Sequence, residues 1–273
     1  NKFRMTTFTK GPNMEFENIK LAITDQVALI TLNKPERLNA CSLDMADDIN
    51  NAMDHLGDAR ALVITGEGKG FCSGADLQGG RDSEISGGQG SYKALTRHYN
   101  PMLLKLHKLN IPTISAVNGP AAGVGCSIGL APDFVIASEK AYFLQAFVNI
   151  GLVPDGGASW MLTRLVGKAR ATEMMLLGEK LPAAKALEWG AIHKVVEPDA
   201  LIDEAMTLAK RLAGGPTVAL GIMRKNLAEA LECDYATALL REAEGQRIAG
   251  DSADAREGAL SFLQKRKSEF KGE

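Results

Sequence analysis

Four short apolar runs, Val27–Leu32, residues 61–65, Thr113–Val117 and residues 134–137, are each bounded by Gly, Pro, Asn or Asp. Runs of this length between such punctuating residues read as buried strands. Apolar residues at helical spacing fall between them, over residues 43–56 and 92–109. Strand and helix therefore alternate at the interval of βαβ units, which predicts a largely parallel sheet. From residue 159 the pattern changes. Residues 168–177, 183–189, 201–212, 218–231 and 236–248 all carry apolar residues at helical spacing, with one short strand candidate at 194–197. Asp254 and Glu257 have capping-box spacing and predict a last helix from about residue 254 to residue 267. The expected organisation is an α/β core over residues 14–200, followed by a helical region over 201–273. The glycine-rich stretch 79–90 is expected to be a loop.

Composition narrows the classes. A chain of 273 residues with 45% apolar and 23% charged residues can bury a sizeable core and is neither disordered nor fibrous. Lys plus Arg (31) against Asp plus Glu (33) leaves a net charge of −2, so no global field draws it to nucleic acid or to an anionic membrane. Cys41, Cys72, Cys126 and Cys233 lie far apart with no C-x-x-C pair, the pattern of reduced and mostly buried thiols. The histidines, His55, His98, His107 and His193, have no partner at metal-ligand spacing, and no metal is expected. No apolar stretch reaches membrane-spanning length and no secretory pattern opens the chain, so a cytoplasmic location is expected. Asn1 is not an initiator methionine, and the first few residues are left out of the argument.

Two glycine-rich turns follow strand candidates, Gly66 to Leu77 and Asn118 to Cys126. Neither has the glycine spacing of a dinucleotide fingerprint or the Gly-Lys-Ser/Thr ending of a phosphate loop. The second contains Gly125-Cys126-Ser127-Ile128-Gly129, a literal G-x-S-x-G followed by Asp155 and His193 in the order of an α/β-hydrolase triad. Its mechanics fit poorly, because ten residues separate Ser127 from the strand end at Val117, whereas a nucleophile elbow turns directly off a strand. A third element, Ile150 to Trp160, holds Asp155. There Pro-Asp-Gly-Gly is turn chemistry, and Asp155 either caps the following helix or, framed by Ile150, Leu152, Val153 and Trp160, has a raised pKa suited to carrying a proton.

Taken together, these elements resemble the crotonase superfamily, the enoyl-CoA hydratase/isomerase family, over nearly the whole chain. Residues 33–40 (NKPERLNA) resemble its opening CoA-contact loop, residues 71–77 its first oxyanion-hole motif and residues 116–125 its second. The tail from Asp254 to Lys267 resembles its last helix. The resemblance implies a fold of repeated ββα units with a helical C-terminal trimerisation region, assembled as a trimer or hexamer. It implies no permanently bound cofactor, with coenzyme A arriving as part of a thioester substrate.

By the same resemblance the backbone N–H groups of Ala75 and Val124 are the oxyanion-hole donors, with Gly74, Gly123 and Gly125 keeping side chains clear of the thioester oxygen. CoA and acyl contacts are implied at Arg37, Leu38, Ala40, Ser73, Gly74, Asp76, Leu77, Gly123 and Phe147, and at Lys265 or Lys267 from a neighbouring subunit. Members that hydrate double bonds use two glutamates to hold water, and the matching positions here carry Ser127 and Phe147. Asp155 stands where isomerase members carry their single acid. One carboxylate suits a 1,3-proton shift, so an isomerase is expected, most similar to those acting on 3-enoyl-CoA or ring-1,2-epoxyphenylacetyl-CoA. The alternatives are a hydratase, a serine hydrolase using Ser127, and a non-catalytic binder of acyl-CoA or RNA.

Overall fold

A computed structural model describes residues 16–76 and 87–273. The strands are β1 (Ile19–Thr24), β2 (Val27–Leu32), β3 (Ala61–Gly66), β4 (Thr113–Val117), β5 (Pro120–Ala122), β6 (Phe134–Ser138), β7 (Tyr142–Leu144), β8 (Leu181–Pro182) and β9 (Lys194–Val196). The helices are α1 (Leu43–Ala52), α2 (Gly87–Ala94), α3 (Asn100–Lys108), α4 (Val124–Leu130), α5 (Ala158–Leu177), α6 (Ala183–Glu188), α7 (Leu201–Ala213), α8 (Thr217–Ala230), α9 (Tyr235–Gly250) and α10 (Ala253–Leu263).

Six strands form the main sheet in the order β1-β2-β3-β4-β6-β9, antiparallel between β1 and β2 and parallel elsewhere. Alternation along the strands gives the sheet two buried faces. In β3, Leu62 and Ile64 join the larger core with α1 and α3, whereas Ala61 and Val63 face the opposite way. That second face is covered by α7, through Leu201, Ala205, Ala209 and Ala213 against Val27, Ile114, Ala116 and Ile136. The small side chains of α7 let it lie close on the sheet, and each large aliphatic residue buried beneath it contributes about 1.5–3 kcal/mol. The division expected at residue 200 therefore does not coincide with a break in packing: α7 completes the α/β core. A second, three-stranded sheet, β5-β7-β8, stands beside the first. Its strands of two or three residues are too short to show a period in sequence.

Other boundaries shifted for local reasons. The helix expected over 92–109 is three segments, because a π-helical turn at Leu95–Tyr99 separates α2 from α3. Pro101 lacks an N–H and its ring crowds the preceding turn, so the widened turn falls just before it. Of the loop expected at 79–90, residues up to 86 lie outside the described residues, and Gly87 to Gly90 are helical. The last helix is capped by Ser252, whose Oγ accepts from Ala255 N at 3.0 Å, and not by Asp254. Asp254 is buried instead, its carboxylate accepting from Lys271 N (2.7 Å) and Gly272 N (2.8 Å) of the returning tail, while Glu257 takes Arg266. Two capping-type residues compete within three positions there, and the tail decides between them.

Candidate active site

The loops that follow β2, β3 and β4 leave the same end of the parallel sheet, where α/β folds place their ligands. Two asparagines bind them to one another. Asn39, fully buried with φ at 55°, donates to Glu67 O (2.9 Å) and Gly70 O (2.8 Å) and accepts from Lys34 N (2.9 Å). Asn118 donates to Gly68 O at 2.9 Å. The main chain adds Ser73 N to Leu38 O (3.0 Å), Cys41 N to Gly74 O (2.7 Å), Asp76 N to Cys41 O (3.0 Å), Ala122 N to Cys72 O (2.9 Å) and Gly123 N to Leu144 O (2.9 Å). Among the amides of this junction that donate to nothing among the described residues are those of Ala75 and Val124, together with those of Gly74 and Gly125.

Residues 75 and 124 are neighbours because the glycines before them touch. Gly74 has φ of 114° and Gly123 has φ of 53°, conformations that L side chains rarely adopt. A Cβ built on Gly123 would lie 3.6 Å from Gly74 Cα and 3.7 Å from the Phe147 ring. Gly125 has a different role from the one expected. Its missing Cβ lets α4 rest on the carbonyl and thiol of Cys72, so it admits close packing behind the junction.

Asp155 lies on the turn between the 3-10 segment Ala146–Ile150 and α5. It does not cap α5: Gly157 occupies the N-cap, and it is the Asp155 carbonyl that accepts from Ala158 N at 3.1 Å. The carboxylate Oδ1 is buried and has no hydrogen-bond partner among the described residues. Burial pushes its pKa up from the usual carboxylate range to about 6. Of the apolar frame expected around it, Ile150, Leu152, Val153 and Trp160 are themselves exposed. The turn sits against α4 and α3: a Cβ on Gly156 would meet Ser127 Cβ at 2.7 Å and Leu103 Cδ1 at 3.4 Å.

Ser127, buried in α4, donates from Oγ to the Asp155 carbonyl at 3.0 Å. This bond, which sequence spacing gave no sign of, removes the hydrolase triad. His193 is far from joining it, its ring edge-on to Phe134 and its amide on β6 at Val135 O. Tyr99, placed by the π-turn, donates to Cys41 O at 2.6 Å, and burial raises its phenol. Burial also raises the thiols of Cys72 to about 11 and Cys126 to about 12, so neither is a nucleophile at neutral pH.

Arg37 pairs with Asp76 at 2.6 Å, and Ser73 Oγ donates to Arg37 O at 3.1 Å, so the expected CoA-contact residues form one connected rim with Leu38 and Ala40. Leu77 lies outside the described residues. His98 Nδ1 bonds to Asp47 at 2.9 Å. Lys265 and Lys267 are exposed beyond α10, with Arg266 between them forked onto Glu257 at 2.6 and 2.8 Å. No group of three or more metal-ligating side chains clusters among the described residues, and none of the helices is long and apolar enough to cross a membrane. A separate groove of about 360 Å³, lined by Asn110, Ile111, Gly221, Lys225 and Ile248 among others, shares no residue with this junction.

A family model described as enoyl-CoA hydratase/isomerase matches residues 22–273. The chain belongs to this family. Among its family relatives, the 1,2-epoxyphenylacetyl-CoA isomerase of Escherichia coli (strain K12) is 41% identical over 249 residues, covering 90% of this chain and 95% of the relative. A probable enoyl-CoA hydratase of Rhodobacter capsulatus is 39% identical, covering 95% and 100%, and the trans-2-decenoyl-[acyl-carrier-protein] isomerase of Streptococcus mutans is 32% identical, also covering 95% and 100%. The crystal structure of an enoyl-CoA hydratase from Polaromonas sp. JS666 superposes with a TM-score of 0.87 at 30% identity, covering 93% of this chain and 99% of that one. The fold is thus that of the enoyl-CoA hydratase/isomerase family.

Proposed function

We propose that this chain is an acyl-CoA isomerase in which Asp155 carries a proton between two carbons of the acyl group. The N–H groups of Ala75 and Val124 hold the thioester oxygen. With a 3-enoyl-CoA, the Asp155 carboxylate takes a proton from C2. The electrons of that bond form the C1–C2 double bond of a dienolate, whose negative charge rests on the oxygen. Return of the same proton to C4 restores the carbonyl and leaves the double bond between C2 and C3, with no atom gained or lost. One backbone donor aimed at such an oxygen is typically worth ~3 kcal/mol.

The observation that carries this reading is the buried, unpartnered Oδ1 of Asp155, raised to about 6, in a site whose other two acid positions hold Ser127 and Phe147. A base with a pKa near the working pH both accepts and returns a proton efficiently. Water addition needs groups that hold and activate water. Ser127 is committed to a carbonyl, and Phe147 presents a ring against Gly123. The relatives include both isomerases and hydratases by name, and the residues at these positions favour the former.

The thioester substrate is assigned to the rim of Arg37, Leu38, Ala40, Ser73 and Asp76, with Lys265 or Lys267 of a neighbouring copy near its phosphates. Assembly as a homotrimer or hexamer fits the apolar side chains that the C-terminal helices leave in solvent, and a cytoplasmic location belongs to the same reading. The acyl group is a 3-enoyl chain or the ring epoxide of phenylacetyl-CoA, the latter from the similarity to the Escherichia coli isomerase. Turnover of 3-enoyl-CoA, crotonyl-CoA and epoxyphenylacetyl-CoA decides the matter. The isomerase reading expects conjugated-thioester absorbance to appear from the 3-enoyl substrate, or the epoxide to be consumed. Loss of that absorbance from crotonyl-CoA as the dominant activity would make it a hydratase.

A further inference from the structure

Helix α4 reaches the site twice. Its first residue is Val124, and its fourth, Ser127, donates from Oγ to the main-chain carbonyl of Asp155 at 3.0 Å, across 28 residues of sequence. The contact is also steric, because a Cβ on Gly156 would fall 2.7 Å from Ser127 Cβ and 2.9 Å from its Oγ. Gly156 has φ of 61°, so the turn bearing Asp155 is folded onto the serine with no side chain between them. Ser127 bonds the carbonyl and leaves the carboxylate alone, whose Oδ1 stays buried and unpartnered.

We infer that Ser127 is a positioning residue for Asp155, fixing through the carbonyl bond and the contact with Gly156 where the carboxylate stands relative to the Val124 amide. The inference rests on the proton-carrying role of Asp155 proposed above. The close approach of Gly156 leaves the Ser127 side chain in direct contact with the 155–157 turn.

Steady-state kinetics with the isomerised substrate, over a pH range, test this. Ser127→Ala is expected to lower kcat about 10-fold with KM changed by less than about 2-fold, since a misplaced acid affects the reacting geometry and not CoA binding. The acid limb of the pH profile is expected to move to lower pH, because a loosened turn lets water reach the carboxylate. In an Asp155→Asn background the same substitution is expected to change the residual kcat by less than about 2-fold, as the two act as a unit. Wild-type kcat and an unmoved limb in Ser127→Ala would overturn the inference, as would a full additional loss in the Asp155→Asn background. If Ser127→Ala does not fold, Gly156→Ala perturbs the same contact from the other side and must move kcat and the limb together. A fully active Asp155→Asn enzyme would remove the proposed function itself, whereas an inactive one alongside a neutral Ser127→Ala removes only this inference.

Discussion

Asp155 is held at some cost to the fold. Its carboxyl is pushed up to about 6 by burial, so between about pH 4 and pH 6 the unfolded chain has released a proton that the folded chain keeps. This contribution is most favourable below the unfolded pKa and is lost as pH rises through 6. Asp155→Asn is therefore expected to raise the melting temperature at pH 8, by an amount equivalent to on the order of 1–2 kcal/mol, and to have no such effect at pH 4. The same substitution is expected to lower kcat by about 100-fold or more while leaving CoA-ester binding intact. In the wild-type enzyme kcat/KM is expected to rise with pH through an apparent pKa near 6, because in the proposed mechanism the free carboxylate is the form that accepts the C2 proton. A flat profile from pH 5 to pH 8 would place the base elsewhere. A more stable, inactive variant is the expected signature of a strained functional group, and calorimetry with steady-state assays reads both halves of it.

Among the elements, α4 and the loop after β3 act as one piece. Ala122 N and Cys72 O join them at 2.9 Å, and Gly125 lies directly on the Cys72 carbonyl and thiol. Gly125→Ala cannot be relieved by a flexible side chain, since the obstacle is backbone. Separation of the two segments is expected to destabilise the fold by about 1–3 kcal/mol and, if the Ala75 and Val124 amides act as proposed, to lower kcat by about 100-fold as they part. Denaturant titration and kcat on the folded fraction measure the two effects separately. The strand candidates, the turn glycines and the helical spacing of α7 were all legible, because each is a local pattern of period 2 or 3.6 or a local turn preference. The π-turn before Pro101, the cap at Ser252 and the partner of Ser127 were not. Each depends on which of several competent residues a distant segment engages.

At the scale of the whole molecule, the C-terminal helices present apolar side chains that stay exposed among the described residues. Met223, Leu227 and Leu231 recur every four residues along one side of α8 and its end, with Leu227 74% exposed, and Leu240 (72%) and Phe262 (82%) stand out from α9 and α10. Exposed apolar side chains of this kind fit the proposed assembly with further copies of this chain, which the net charge of −2 opposes only weakly. Leu227→Glu is expected to leave the secondary structure unchanged, because the side chain is in solvent in the single chain, and to weaken self-association by about 100-fold or more. Sedimentation velocity across a concentration series checks this. A wild-type chain that sediments as a monomer at micromolar concentration would contradict the proposed assembly.

By itself the sequence determined the largely parallel α/β sheet, the two glycine-rich turns after β3 and β4, and the family. All of these are written in neighbouring residues. Tertiary structure alone decided that α7 belongs to the core, that Gly125 serves packing, that the turn bearing Asp155 packs on α3 and α4, and that Ser127 holds its carbonyl. The reason is physical. Period and turn chemistry are properties of a segment, whereas the desolvation of a carboxylate and the partner of a hydroxyl are set by segments that meet only after the chain has folded.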